Sequence, residues 1–269
     1  MELLNKYIPP EYLALKINYC RQQLVKLPDA KLKTHKVRGV PVQKIVIGNK
    51  RYNVDSELGK KYMAKLKVRD YYKLQLPVYE SVWNSRFKNE PFPECRPHKV
   101  IRKMFVDAGE YVVMDKAYFD SLKNDADTKH EKKSWYPFNG IYYRSAAERD
   151  IAIYYTEMGI PFKYEPEVYI KGLSFPIYPD FIIYIKELDC CKIHEHLGVQ
   201  QSSNYNQRTK DKYINYTNAG LIPDLDVLFT YDTEDMPFDI RGFVTKLNNA
   251  VYTTAISTTA IRNVIEEMC

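Results

Sequence analysis

The stretch YPDFIIYIKELDCCKIHEHLG, residues 178–198, holds two short apolar runs separated by a polar turn. Runs this short and this rich in Ile, Phe and Tyr read as strands, so the pair predicts a β-hairpin. Each strand also carries a carboxylate, Asp180 and Glu195, where an apolar residue is expected. With Glu187-Leu188 as a two-residue turn, Asp180 falls directly opposite Glu195 on one face, with Cβ atoms roughly 5 Å apart. Neither turn residue is Asn or Gly, and a one-residue slip would carry Glu195 to the other face. In the unslipped register, two carboxylates facing each other in an apolar setting repel and resist desolvation unless a cation joins them or one takes up a proton.

A third carboxylate precedes them. SAAERDIAIYYTEMG, residues 145–159, reads as an amphipathic helix closed by Gly159. Glu148 shares a face with Ile151, Ala152 and Tyr155, so it points inward with them. Ser145 and Glu148 also form S-x-x-E, a capping box, which accounts for this glutamate without any chemistry. Together the three carboxylates would suit a hard divalent cation, Mg2+ first, which lowers the pKa of bound water and stabilises charge on a phosphoryl oxygen.

Around these residues the pattern is helix, three strands, helix, strand. FKYEPEVYI, SFPIYPDFIIYI and CKIHEHLG are strand-like, SNYNQRTKDKYINYTNAG (203–220) is helical and ends at Gly220, and DVLFTYD (226–232) is a last strand. The N-terminal half differs in charge: residues 1–135 hold 28 Lys and Arg against 16 Asp and Glu, and residues 136–269 hold 12 against 18. EYLALKINYCRQQLVK (11–26) predicts a helix, residues 35–54 a small basic hairpin turning at Gly39 and Gly48-Asn49, and Asp55 or Ser56 caps a helix expected to end near Leu76. That helix carries Lys60, Lys61, Lys65 and Arg69, the candidate contacts to a polyanion such as DNA. Prolines make 89–99 an irregular connector, and the charged stretch 123–135 is taken as the main boundary. The expected division is therefore a basic, mostly helical region over 1–135, a core over 136–250 and a tail over 251–269.

The start of the chain lacks the features of a secretory signal, and no window nears 18 uninterrupted apolar residues. The five cysteines show no repeated spacing and suit reduced thiols. A soluble, cytoplasmic protein without a membrane partner is expected. Phosphate-cradling and nucleophile-elbow motifs are absent from the sequence, which leaves an ATPase, a dinucleotide enzyme or an α/β-hydrolase unsupported. Cys190, His194 and His196 alternate onto one strand face and offer a zinc alternative, but no C-x-x-C pair completes it.

Glu148, then Pro179-Asp180, then Glu195 within IHEHLG, set in that element order, resemble the PD-(D/E)XK nuclease superfamily, the restriction-endonuclease-like fold. The likeness covers about residues 140–232. Its continuation, Lys212, Tyr216, Gly220-Leu221-Ile222 and a strand ending at Thr230, is similar to phage, mobile-element and helicase-associated members. The resemblance implies an α/β core of order αβββαβ, with helices flanking a mixed central sheet. It implies Mg2+ or Mn2+ held by Glu148, Asp180 and Glu195, DNA phosphodiester hydrolysis, and a helicase, a transposition or phage protein, or a second copy as partner. The family's lysine, two residues after the second-strand acid, is here Leu197. In some members the following helix supplies the basic group, which makes Lys212 the first candidate, with Lys210 and Gln200 behind it. Tyr205, Lys212 and Tyr216 share one helix face. Without such a group the same fold would be a catalytically inactive DNA-binding subunit. A third reading is an RNA- or protein-binding module.

Overall fold

The computed structural model describes residues 2–37, 39–93, 95–127, 136–198, 203–233, 235 and 237–255. Its contacts divide the chain into two units, Leu13–Pro93 on the one hand and Met1–Tyr12 with Glu94–Cys269 on the other.

A short helix α1 (Glu2–Tyr7) precedes α2 (Pro10–Lys26), which matches the helix expected over 11–26. In the Leu13–Pro93 unit, Gly39 (φ 81°) and Gly48 (φ 55°) occupy the left-handed region that tight hairpin turns require. They fold β1 (Ala30–Val37), β2 (Val40–Ile47) and β3 (Lys50–Asn53) into an antiparallel sheet, one strand more than the expected hairpin. Ala30, Ile45 and Ile47 pack one face of this sheet against Tyr62, Met63 and Leu66 of α3 (Glu57–Arg86). Ser56 caps α3 by accepting from the Gly59 amide. Gly59 is required by closeness: a Cβ there would lie 1.8 Å from the Asn53 carbonyl oxygen. Contrary to the expected end near Leu76, α3 continues through Pro77 to Arg86. An interior proline costs about 3 kcal/mol. Beyond it Tyr79, Val82 and Trp83 are buried, each contributing on the order of 2 kcal/mol, which offsets that cost.

The basic excess belongs to this unit. Residues 13–93 hold 18 Lys and Arg against six Asp and Glu, and the rest of the chain holds 22 against 28. The division falls at the proline connector, not at 123–135, of which 128–135 lie outside the described residues. The physical reason is packing: β4 (Lys103–Phe105), β5 (Tyr111–Val113) and α4 (Lys116–Ser121) bring Met104, Met114, Phe119 and Leu122 into the larger unit's core.

The larger unit continues with β6 (Tyr136–Phe138), β7 (Ile141–Tyr143), α5 (Ala146–Glu157), β8 (Phe162–Tyr164), β9 (Phe181–Ile185), β10 (Cys190–Leu197), α6 (Ser203–Asn218), β11 (Val227–Tyr231) and α7 (Ile240–Ala255). Four strands form a mixed sheet in the order β11-β10-β9-β8, with β10 and β11 parallel and the other pairs antiparallel. Ile182, Ile193, Leu197 and Phe229 share one face with Tyr216 of α6 and Ala219 just after it. On the opposite face Phe181 and His194 meet Tyr155 of α5 and, for His194, Phe243 of α7. Both faces are covered, and every residue of β9 and β10 is buried. The chain is thus a mixed α/β protein with seven helices among the described residues. The first residues of the expected tail, 251–255, complete α7, where Val251 and Ala255 are buried. Cys20, Cys95, Cys190 and Cys191 are buried and outside any disulfide. No helix among the described residues is long and apolar enough to cross a membrane.

Candidate active site

The β9–β10 ladder runs from Ile185 opposite Cys190 to Phe181 opposite His194, so one step further Asp180 stands opposite Glu195. The connecting turn has four residues, 186–189, and not two; Asp189 takes a positive φ of 47° to close it. Its midpoint is still Glu187-Leu188, which is why the expected register survives a different turn. Side-chain alternation places Asp180 with Ile182, and Glu195 with Ile193 and Leu197, on the face that α6 covers.

From α6, Lys212 Nζ donates to Glu195 Oε2 at 2.6 Å, and the Tyr216 hydroxyl, one turn on, donates to Oε1. Glu195 is 1% exposed, so these two donors stand in place of solvent around its carboxyl group. The Asp180 Oδ2 accepts from the His196 amide at 2.6 Å. Burial pushes the Asp180 carboxyl well above its ordinary value; Glu195 and Glu148 push it further, while Lys212 and the His196 N–H oppose them. Burial, then Glu195, likewise raise the Tyr216 hydroxyl, which keeps it a donor.

Glu148 is placed differently. Ser145 caps α5, its Oγ accepting from the Glu148 amide at 3.1 Å and donating to Glu148 Oε1 at 3.1 Å. The other carboxylate oxygen accepts from Tyr164 Oη at 2.7 Å and from the Arg144 amide at 3.2 Å. Ser145 thus caps α5 as expected, while Glu148 reaches back to the Ser145 hydroxyl and the Arg144 amide, not to the Ser145 N–H of a capping box. Because α5 covers the sheet face opposite to α6, Glu148 acts on Asp180 through its charge from the far side. Among the described residues, no three His, Cys, Asp or Glu side chains gather into a group that could hold a metal. Asp180 and Glu195 form a facing pair, with both Glu195 oxygens accepting from α6. Glu148 is held by other donors.

The pair opens onto a cleft of about 450 Å³ whose wall includes Asp127, Arg144, Glu165, Asp180, Glu195 and Lys212. Arg144 is a feature that sequence reasoning missed. Its Nη2 lies 2.6 Å from Asp127 Oδ2 and its Nε 2.6 Å from Glu165 Oε1. Glu165 reaches it from a left-handed backbone (φ 41°), with its amide bonded to the Asp180 carbonyl. A signal existed in YEPEV, where an acid follows a buried strand, but nothing marked its partner.

No family model, curated protein or solved structure matches the chain.

Of the remaining candidates, Lys210 is exposed on α6, Gln200 lies outside the described residues, and so does the side chain of Tyr205. Leu197, where the resemblance expects lysine, is 2% exposed within the α6-side core. Lys60 and Lys61 are exposed on α3 and Lys65 is half-buried. Arg69 is engaged within its own unit: it donates to the carbonyls of Leu24 and Leu27 and pairs with Asp29. The zinc alternative does not assemble. His194 is buried, its Nδ1 and Nε2 bonded to Tyr155 Oη (2.7 Å) and Thr230 Oγ1 (2.8 Å), and its ring stacks on Phe243. His196 also bonds Thr230, and burial lowers its pKa to about 4. Neither histidine lies on an open outer face: Phe243 of α7 covers His194, and Phe238, just before α7, meets His196.

Proposed function

We propose that the larger unit is a metal-dependent endonuclease that hydrolyses DNA phosphodiester bonds, on a core of the restriction-endonuclease-like type. The observation that carries this reading is the Lys212–Glu195 contact. The basic group that the β10 sequence lacks at Leu197 arrives from α6, beside a carboxylate standing opposite Asp180. The element order α5-β8-β9-β10-α6-β11 around a mixed sheet supports the same reading.

Asp180 and Glu195 are the residues that would hold Mg2+ or Mn2+, with Glu148 adding negative charge from behind Asp180. When bound, such an ion supplies an acidified water and charge stabilisation at a phosphoryl oxygen. Lys212 bonds Glu195 and would offer its ammonium to developing phosphate charge. Tyr216 fixes the other Glu195 oxygen. Arg144 lines the cleft as a second cation, held in place by Asp127 and Glu165. The buried thiols accord with a reducing cytoplasmic setting.

A second reading is a catalytically inactive DNA-binding subunit, favoured by the commitment of Glu148 to Tyr164, Ser145 and the Arg144 amide. Conversion of supercoiled plasmid with Mg2+ or Mn2+ separates the two. The nuclease reading expects nicking by the wild type and none by Asp180→Ala. Intact DNA binding by a wild type that cuts no form of DNA would leave only the inactive subunit.

A further inference from the structure

We infer that the open face of the β1–β2–β3 sheet is a docking surface for the phosphate backbone of duplex DNA. The inference rests on the nuclease reading only for the choice of DNA over RNA; the surface itself follows from charge and register. The three strands, AKLKTHKV, VPVQKIVI and KRYN, contain six Lys and Arg and no Asp or Glu. Strand alternation sorts them. Ala30, Ile45 and Ile47 turn towards α3, so Lys31, Lys33, Lys44 and Arg51 project from the opposite face. Lys33 stands directly opposite Lys44, while Lys31 and Arg51 flank Val46 from either side. With strands about 4.8 Å apart and same-face rows about 7 Å apart, the four cations fall within a patch of roughly 10 by 7 Å at their Cα atoms.

Like charges directly opposite on neighbouring strands destabilise a sheet, so the Lys33–Lys44 pair is a concentration of charge that folding does not call for. The ion pairs among the described residues of this unit lie elsewhere, joining Arg21 to Glu80, Arg69 to Asp29, and Lys73 to Asp29 and Asp70. None involves the four sheet cations. α3 is the weaker candidate, since its lysines are interspersed with Glu57, Asp70 and exposed apolar residues and Arg69 is engaged. The open face also lacks Phe, Tyr and Trp: Tyr52 is on the α3 side, against Tyr62. Single strands are gripped by base stacking on aromatic side chains, whereas a duplex presents phosphates to a face of this kind.

The test uses the full chain and a labelled duplex in EDTA, so that binding is read without cleavage. Lys31, Lys33, Lys44 and Arg51 are changed together to Gln, and Lys60, Lys61, Lys65 and Lys67 are changed to Gln in a comparator with the same loss of charge. The sheet variant is expected to bind about 100-fold more weakly at low salt, and its log K against log salt slope to flatten by about 3. The comparator should change less than about threefold. A single Lys33→Gln variant should keep or raise the melting temperature while flattening the slope by about 1, which guards against a misfolded quadruple variant. Equal losses in both quadruple variants, undiminished binding by the sheet variant, or a wild-type preference for anionic vesicles or duplex RNA would overturn the inference. Binding in EDTA without cutting in Mg2+ would count against the nuclease reading alone.

Discussion

Lys212 Nζ lies 2.6 Å from Glu195 Oε2, joining a helix to a strand that ends two residues beyond that glutamate. The contact has two consequences. It gives a glutamate that is 1% exposed a partner of opposite charge. It also puts an ammonium group at the cleft where Asp180 and Glu195 face each other.

Tyr216 supplies the second donor to Glu195, and a buried hydrogen bond to a charged group contributes about 1.5–3 kcal/mol. Tyr216→Phe is therefore expected to lower the melting temperature by about 5 °C and to slow nicking roughly tenfold. Differential scanning calorimetry and a plasmid assay on the same preparation check both.

Asp180 gives a prediction of opposite sign. Burial, then Glu195, hold its carboxyl well above the ordinary value of 3.8, so the folded chain keeps a proton that the unfolded chain releases. Its contribution to stability therefore falls as pH rises from 3.8 towards the folded value. Asp180→Asn removes that loss while retaining an acceptor for the His196 amide. In EDTA the variant should melt above wild type at neutral pH, by about 2–4 °C per kcal/mol, with the gap closing towards about pH 4. Its Mg2+-dependent nicking should be lost. A neutral-pH melting temperature below that of wild type would contradict the account of this carboxyl.

Arg144 bridges Asp127 and Glu165, whose side chains are each 3% exposed. Arg144→Ala leaves two buried carboxylates without their guanidinium and should cost about 3–5 kcal/mol. Arg144→Lys should recover only part, because one ammonium cannot reproduce the fork that meets both acids. Denaturant titrations of the two variants give the ranking.

In the basic unit, Gly59→Ala sets a methyl group 1.8 Å from the Asn53 carbonyl oxygen. Backbone on both sides of the contact must shift, and a loss of about 3 kcal/mol or more is expected. Far-UV circular dichroism of the variant on heating reports it, and Ala at the exposed Ala64-neighbouring position Lys60 serves as the tolerant control.

The readable parts of the sequence were those fixed by local chemistry. Ser56 and Ser145 announce helix starts through their own side chains, and the β9–β10 register follows from where the polar turn is centred, whatever its length. The α6 spacing placed Lys212 and Tyr216 together because four residues make nearly one turn. What stayed hidden depends on pairings distant in sequence. Asp127 and Arg144 lie on separate segments, and no local pattern ties either to Glu165. Glu148 was correctly placed on the inward face of α5, yet only the topology shows that α5 and α6 cover opposite faces. The same holds for His194, which is buried because α7 covers it. Pro77 misled the reading of α3, since a local breaker is outweighed by burial on both sides of it.

The most direct test of the central claim is the single-turnover nicking rate of supercoiled plasmid in Mg2+ for wild type, Lys212→Met and Lys212→Arg. The account predicts that wild type cuts, that Lys212→Met is slower by about 100-fold or more, and that Lys212→Arg retains an intermediate rate. A Lys212→Met protein that cuts as fast as wild type would contradict it.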